Sequence, residues 1–254
     1  MHVDFGRTAD DYARHRSGFP NAFFERLHGD GVISSGERLL DLGTGTGTIA
    51  RGFARWGLDV TGIDIARPLL ETARRLAEQI GVTVHFLEAR AEETGLPDGS
   101  FDVITAGQCW HWFDRPRVAA EAQRLLVPGG RMVIAHFDWV PLPGNVVEAT
   151  EQLVLRHNPD WKLDGGTGLY PEWLTDLAVA GFRHLETFSF DQAVAYSHLA
   201  WRGRMRASAG IGASLPEADV ERFDQELEAL LTRDFPDDPI EIPHRLWTVI
   251  GWRT

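Results

Sequence analysis

The segment RLLDLGTGTGTIA, residues 38–50, constrains the fold of this chain more than any other stretch. An apolar run at 38–42 precedes Gly43, Gly45 and Gly47, and apolar residues then recur at helical spacing. This pattern predicts a strand, a tight turn and a helix. Because glycine has no Cβ, a ligand can approach the backbone of the turn, and the helix directs its unpaired N–H groups toward that ligand. We therefore expect a nucleotide-like ligand.

Two classes of cofactor are compatible with this turn. The spacing Gly43-x-Gly45-x-Gly47 is the form found in S-adenosylmethionine (SAM) methyltransferases, whereas Gly45-x-Gly47-x-x-Ala50 satisfies the fingerprint of dinucleotide-binding domains. Both classes place an acid at the end of the next strand to accept the ribose hydroxyls, and Asp64 lies at that position. The turn and Asp64 together leave both cofactors open.

Apolar runs and helical patterns alternate along the first half of the chain. This alternation predicts an α/β fold with a parallel sheet and right-handed crossovers. The predicted strands lie near residues 38–42, 58–64, 82–87, 101–106 and 130–136, and the predicted helices near 46–56, 67–80 and 115–126. Ligands of such sheets bind outside the carboxyl ends of the strands, so the residues that follow each strand are the candidates for a site.

The second half of the chain has a looser pattern, with proline and glycine clustered at 141–145 and 163–171. The predicted elements are helices at 146–157 and near 171–182, a sixth strand at 183–190, a mostly helical insertion at 196–235 and a last strand at 245–252. Within the insertion, apolar residues at helical spacing predict a helix with one buried face. These residues are Phe223, Leu227, Leu230 and Leu231.

Four segments resemble the class I SAM-dependent methyltransferases of the methyltransferase type 11 group, which includes ubiquinone-biosynthesis-type enzymes. They are residues 39–50, 60–66, 89–114 and 120–137. The runs LPDGSFD at 96–102 and LVPGG at 126–130 are not expected of a dehydrogenase and favour this group. The resemblance implies a Rossmann-like, seven-stranded class I methyltransferase sheet with an antiparallel last strand, helical lid insertions, and SAM as the cofactor.

The same resemblance implies a division of the chain. We expect an N-terminal cap segment at 1–36, a SAM-binding Rossmann-like core at 37–137, an insertion after strand five at 138–170, the rest of the core sheet at 171–191 and 244–254, and a helical lid at 192–243. The insertions are expected to form the lid over the substrate.

The resemblance also assigns residues to the parts of SAM. The methionine half is expected against Gly43, Thr44, Gly45 and Gly47, with Asp41 at the amino group, Asp64 at the ribose, Ile65 against the adenine, Ala91 and Glu92 at the adenine edge, Gln108 after strand four, and Tyr12 and Arg16 in the cap. Carboxylates near the ammonium and sulfonium replace solvation that SAM loses on leaving water. Each acid also has a purely structural interpretation: Asp41 can accept N–H groups of the loop, and Asp64 or Glu92 can cap the next helix.

The sequence QCWHWF, residues 108–113, follows strand four and is expected to face the transferred methyl group. A neutral imidazole at His111 can accept the proton of an acceptor hydroxyl. The alternative is a histidine that lies between Trp110 and Trp112 and only holds the loop. Cys109 is expected to be buried, and the pair Cys109-x-His111 has too few ligands for zinc, so no metal is predicted.

Composition limits the partners. A formal net charge of −12 disfavours nucleic acid, no run is long enough to span a membrane, and a single cysteine suits a reducing compartment, so we expect a cytoplasmic protein. Nine tryptophans favour a partly apolar small-molecule substrate. The sequence specifies no oligomeric state.

The predicted function is SAM-dependent methyl transfer to O, N or C of a small molecule. One alternative is an NAD-dependent oxidoreductase, but no tyrosine is followed by lysine at the Tyr-x-x-x-Lys spacing. The other alternative is a SAM-binding module without catalytic activity.

Overall fold

The computed structural model describes residues 18–254 in two compact units. Residues 18–137, 170–190 and 246–254 form the first, called here the core unit, and residues 138–169 and 191–245 form the second unit. Tyr12 and Arg16, predicted to contact the cofactor, lie outside the described residues. The part of the predicted cap that is described, residues 18–36, belongs to the core unit.

Seven strands form one sheet in the order β3-β2-β1-β4-β5-β7-β6. They are β1 Arg38–Leu42, β2 Asp59–Asp64, β3 His85–Glu88, β4 Phe101–Gly107, β5 Leu126–Trp139, β6 Arg183–Tyr196 and β7 Ile240–Trp252. The pairs from β3 through β5 are parallel. The start of β5 pairs with the end of β7, because Gly129 donates to the carbonyl of Arg253 and Arg253 donates to that of Gly130. The strand β7 is therefore antiparallel, and the predicted fold class is confirmed.

Helices connect the strands near the predicted positions. Those of the core unit are α1 Asn21–Gly29, α2 Thr48–Arg55, α3 Arg67–Gln79, α4 Arg115–Leu125 and α6 Glu172–Val179. Those of the second unit are α5 Val146–His157, α7 His198–Arg206 and α8 Glu217–Asp234. None of the helices between residues 18 and 254 combines the length and the apolar content that crossing a lipid bilayer requires.

The start of β5 differs from the prediction. The strand was expected near residues 130–136, but β5 already begins at Leu126, before the Pro128–Gly130 segment. Its register with β4 shifts within this segment, since Leu126 pairs with Phe101 whereas Arg131 pairs with Val103. The extra residues form an irregularity inside the strand, and Gly129 provides the left-handed backbone for it, with φ of +76°.

Each unit has its own apolar core. In the core unit, buried side chains from β1, β4 and β5 pack with those of α4, α6 and β7. In the second unit, Phe223, Leu227 and Leu231 of α8 are fully buried and pack with residues of α5 and α7. The predicted one-sided burial of this helix is confirmed.

Helix α1 packs closely on α2. Phe24 of α1 is buried and its ring lies edge-on to that of Phe53 at a centroid distance of 5.0 Å. The same ring covers Gly52, where an added Cβ would lie only 2.2 Å from Cζ of Phe24. The contact between the two helices therefore requires the absence of a side chain at Gly52.

Replacing Gly52 with alanine is expected to destabilise the protein. The overlap with Phe24 outweighs the gain in helix propensity, so we expect the free energy of unfolding to fall by about 1–2 kcal/mol. Urea denaturation measures this change. The matched control is Gly29→Ala at the end of α1, because a Cβ there meets nothing within 4 Å. Equal midpoints for the two variants would contradict the packing described.

Candidate active site

The glycine turn between β1 and α2 has a backbone that only glycine adopts readily. Gly43, Gly45 and Gly47 have φ angles of +60°, +55° and +75°. Within the turn, Gly47 donates to the carbonyl of Thr44 at 2.8 Å, and Thr44 donates to that of Ile63 in β2 at 2.8 Å. The turn is thereby fixed to the neighbouring strand before α2 begins at Thr48.

The three glycines differ in what surrounds them. An added Cβ at Gly43 would lie 3.0 Å from Cβ of Cys109, and one at Gly47 would lie 2.9 Å from the ring of Phe86. An added Cβ at Gly45 would meet nothing within 4 Å. Gly43 and Gly47 thus serve close packing within the protein, whereas Gly45 borders open space, where a ligand can approach the backbone.

Asp41 lies beneath the turn and is 2% exposed. Its two carboxylate oxygens accept hydrogen bonds from the hydroxyls of Thr44, at 2.6 Å, and Thr105, at 2.8 Å. Burial is the largest effect on this group and raises the pKa of Asp41 to about 6, although both hydroxyls act in the opposite direction. The structure therefore places a carboxyl group that can hold a proton near neutral pH directly under the glycine turn.

Asp64 connects the end of β2 to the turn. Its carboxylate accepts the N–H of Gly45 at 2.9 Å and that of Ala66 at 2.8 Å. Burial raises the pKa of this carboxyl, while the backbone N–H groups lower it. The next residue, Ile65, exposes 66% of its surface, which is unusual for a large aliphatic side chain beside a polar site.

Ala91 and Glu92 follow β3 at the same edge of the sheet, since β3 is paired with β2. Ala91 is buried. The carboxylate of Glu92 accepts the N–H of Asp114, the residue that caps α4, at 3.3 Å and lies 3.4 Å from the guanidinium of Arg90. The structure thus gives Glu92 a role at the start of a helix, which is the structural alternative stated for it above.

The segment after β4 begins with a strained residue. Gln108 has a φ of +60°, which is uncommon for residues other than glycine. Its side-chain amide donates to the carbonyl of Phe137, and its own N–H donates to the carbonyl of Ala135 at 2.9 Å. Gln108 therefore ties this segment to the end of β5. Cys109 is buried, and its Sγ lies 3.1 Å from the carbonyl oxygen of Leu42.

His111 lies on a short 3₁₀ helix, Trp110–Trp112, and is exposed. The two flanking tryptophans lie in different surroundings. Trp110 is fully buried and its indole donates to Asp176 of α6 at 3.0 Å, whereas Trp112 is 46% exposed and its ring lies 4.7 Å from that of His111. His111 is therefore exposed beside Trp112, and its catalytic role stays a prediction.

Sequence reasoning missed His136, which lies next to His111, and Tyr170, which is bonded to His136. The ring of His136, in β5, lies 5.4 Å from that of His111. Nδ1 of His136 lies 2.6 Å from the hydroxyl of Tyr170, which precedes α6. The available signal was a histidine within the otherwise apolar run VIAHF at residues 133–137.

Residues 40–134 match the protein family described as "Methyltransferase domain". This segment contains the glycine turn, Asp41, Asp64, Glu92 and His111. The chain carries a class I SAM-dependent methyltransferase domain. SAM is accordingly the cofactor of the family to which this domain belongs.

Curated relatives of this methyltransferase domain align with only part of the chain. An uncharacterized methyltransferase of Mycobacterium tuberculosis is 36% identical over 153 residues, which are 58% of this chain and 60% of that protein. The demethylmenaquinone methyltransferase of Thermus thermophilus is 43% identical over 104 residues, or 40% of this chain and 47% of that enzyme. The chain thus spans less than two thirds of the length of these relatives.

The fold is shared over a longer stretch than the sequence. The crystal structure of the YcgJ protein from Bacillus subtilis matches with a TM-score of 0.60 and 21% identity, covering 92% of this chain and 99% of that one. At this level of identity, the match shows the fold alone.

Between residues 18 and 254, no group of three or more histidine, cysteine, aspartate or glutamate side chains has an arrangement suited to holding a metal ion.

The buried carboxyl of Asp41 makes stability depend on pH in a predictable direction. Below about pH 4 the folded and unfolded states both hold the proton, between about pH 4 and 6 only the folded state does, and above about pH 6 the folded state contains a buried charge. The free energy of unfolding therefore falls by about 3 kcal/mol as pH rises through this window. In Asp41→Asn this contribution disappears, because the amide does not ionise.

Urea denaturation at several pH values between 4 and 7 measures this difference. We expect the decline of stability with pH to be weaker by about 3 kcal/mol in Asp41→Asn than in the wild type. The control Glu78→Gln removes an exposed carboxylate on α3 and is expected to keep the wild-type pH dependence. Parallel curves for Asp41→Asn and the wild type would contradict the burial effect.

Proposed function

We propose that this chain is a SAM-dependent methyltransferase that transfers a methyl group to an O, N or C atom of a small molecule. The observation that supports this most directly is the glycine turn, whose Gly45 borders open space and whose backbone is held by Asp64. The match of residues 40–134 to the methyltransferase family supports the same function.

The described residues fit SAM by their chemistry. The open face of Gly45 suits the methionine half, and the carboxyl of Asp41 beneath Gly43, Thr44 and Gly47 suits its ammonium group. Two backbone N–H groups occupy some of the lone pairs on the Asp64 carboxylate. The remaining lone pairs can accept ribose hydroxyls.

The exposed side chain of Ile65 offers an apolar surface for the adenine, with Ala91 and Glu92 at its edge. Gln108, Tyr12 and Arg16 stay predicted contacts of the cofactor. The division of the chain given above, including the lid role of its insertions, also stays a prediction.

When bound, SAM supplies a methyl group on a positively charged sulfur, which is already activated for attack by a nucleophile. The protein then has two tasks, which are to hold the acceptor in line with that carbon and to accept a proton where the acceptor carries one. The segment after β4 is held at two points, because the side chains of Gln108 and Trp110 each donate a hydrogen bond to another element of the core unit. We propose His111, exposed on this segment, as the proton acceptor.

A small molecule is the proposed acceptor for two reasons. The Thermus relative is named for methylation of demethylmenaquinone, a small molecule. The net charge of −12 disfavours binding of nucleic acid along a broad surface. The exposed ring of Trp112 beside His111 favours an acceptor that is partly apolar.

Isothermal calorimetry with SAM and, separately, with NAD tests the cofactor. We expect saturable heat with SAM and none with NAD. Asp64→Asn removes the charge that receives the ribose hydroxyls, so we expect its affinity for SAM to fall by about 10- to 100-fold. Asp59→Asn is the matched control, because Asp59 begins the strand that Asp64 ends. Heat with NAD, or unchanged SAM affinity in Asp64→Asn, would contradict the assignment.

Replacing His111 with glutamine tests the proposed base. We expect SAM binding to stay intact and turnover to fall by roughly tenfold or more, measured as release of S-adenosylhomocysteine with an acceptor found by screening. His85→Gln, an exposed histidine in β3, serves as the control. Unchanged turnover in His111→Gln would remove this residue from the mechanism. SAM binding without turnover of any acceptor would favour the non-catalytic module instead.

A further inference from the structure

A second group of polar side chains lies beside His111. Its members are His136, near the end of β5, and Tyr170, just before α6. Both residues lie outside the segment that matches the methyltransferase family, which ends at residue 134.

The ring of Tyr170 is held in place by tryptophans. It stacks on Trp173 of α6 with a centroid distance of 4.2 Å and an angle of 13° between the planes. Trp247 of β7 lies edge-on to both rings, at 6.0 Å from Tyr170 and 5.5 Å from Trp173. Because Trp173 is fully buried, this stack fixes the position of the Tyr170 hydroxyl.

His136 is 7% exposed, and aromatic rings pack against its imidazole. The ring of Tyr170 lies edge-on to it at 4.6 Å, and that of Trp173 at 5.7 Å. A buried imidazole in such surroundings requires hydrogen bonds, and Nδ1 forms one with the Tyr170 hydroxyl at 2.6 Å. This bond determines the orientation of the His136 ring and, with it, which nitrogen is directed away from Tyr170.

The His136 ring in turn packs against His111. The angle between the two imidazole planes is 78°, and the ring centroids lie 5.4 Å apart. The ring of Trp112 also lies near His111, with a centroid distance of 4.7 Å. His111 is exposed, yet its imidazole has one neighbour that the Tyr170 bond fixes and another on its own 3₁₀ helix.

We propose that Tyr170, acting through His136, positions the imidazole of His111 to accept the proton of an acceptor hydroxyl, so that oxygen is the methylated atom. This inference rests on the proposed function. On this proposal His111 contacts the acceptor and is the catalytic residue, whereas His136 and Tyr170 are positioning residues. Between the two heteroatoms, oxygen is favoured over nitrogen because a neutral amine can attack without prior proton loss, whereas a hydroxyl gains most from a base.

The step is balanced. The O–H bond of the acceptor breaks and its proton moves to a ring nitrogen of His111. The oxygen lone pair forms the new O–C bond, the C–S bond of SAM breaks, and its electron pair stays on sulfur, which yields S-adenosylhomocysteine. The imidazolium of His111 then returns its proton to solvent.

The probe for this arrangement is 4-nitrophenol, because its phenolate is coloured and reports directly where the proton lies. The protein is saturated with S-adenosylhomocysteine, and the phenolate absorbance of the bound probe is followed against pH. We expect the pKa of bound 4-nitrophenol to lie about one unit below that of the free probe. The shift is expected to vanish in His111→Gln and to be reduced in Tyr170→Phe, which keeps the stacked ring and removes only the hydroxyl.

Matched controls separate this effect from general changes. Tyr196→Phe removes a hydroxyl in the second unit, and His85→Gln removes an exposed imidazole in β3, and we expect both to show the wild-type shift. His136→Phe keeps a ring at this position, and we expect the reduced shift of Tyr170→Phe. Calorimetry with S-adenosylhomocysteine accompanies each variant, so that loss of the cofactor site is recognised.

The two proposals fail in different ways. Absence of heat with S-adenosylhomocysteine in the wild type contradicts the proposed function. Normal heat together with no ionisation shift of 4-nitrophenol, whether or not the probe binds, overturns the assignment of His111 as the base. A wild-type shift in Tyr170→Phe overturns the positioning role of Tyr170 and His136.

Discussion

The bond between the carboxylate of Asp64 and the N–H of Gly45 is the interaction on which the rest of the site depends. Three residues of the glycine turn have left-handed backbone, and Asp64 fixes that backbone from the neighbouring strand while also accepting the N–H of Ala66, which precedes α3. Because Gly43 lies against Cys109, a turn fixed in this way also defines where the segment after β4 can lie. The placement of His111 is therefore a consequence of how the first turn is held.

The glycine turn and the alternating elements were predictable because their signals are local. Missing side chains at Gly43, Gly45 and Gly47 determine the turn, and apolar periodicity determines which segments are strands and helices. The start of β5 was not predictable in this way. Proline and two glycines at residues 128–130 normally end a strand, but pairing of Leu126 with Phe101 extends the sheet beyond them, and that pairing joins residues far apart in sequence.

The same limit applies to the site. Asp41 was singled out through the family resemblance and Asp64 through its place at the end of a predicted strand, yet nothing in the sequence indicates that the hydroxyl of Thr105, 64 positions away, contacts Asp41. His136 and Tyr170 are 34 positions apart and meet only because β5 and the residues before α6 are brought together by packing on Trp173. Residues that act through tertiary contacts carry no spacing signal, whereas residues bound to one turn do.

The buried carboxyl of Asp41 has a consequence for how cofactor occupancy responds to acidity. With a pKa of about 6, this group holds a proton for part of the time in the folded protein, which spares the interior a negative charge. On the proposed placement, the ammonium group of SAM takes over that neutralising role, so one positive charge enters as another leaves. Below about pH 6, where the carboxyl is mostly protonated, cofactor uptake then releases a proton to solvent, and protons compete with SAM for the same carboxylate.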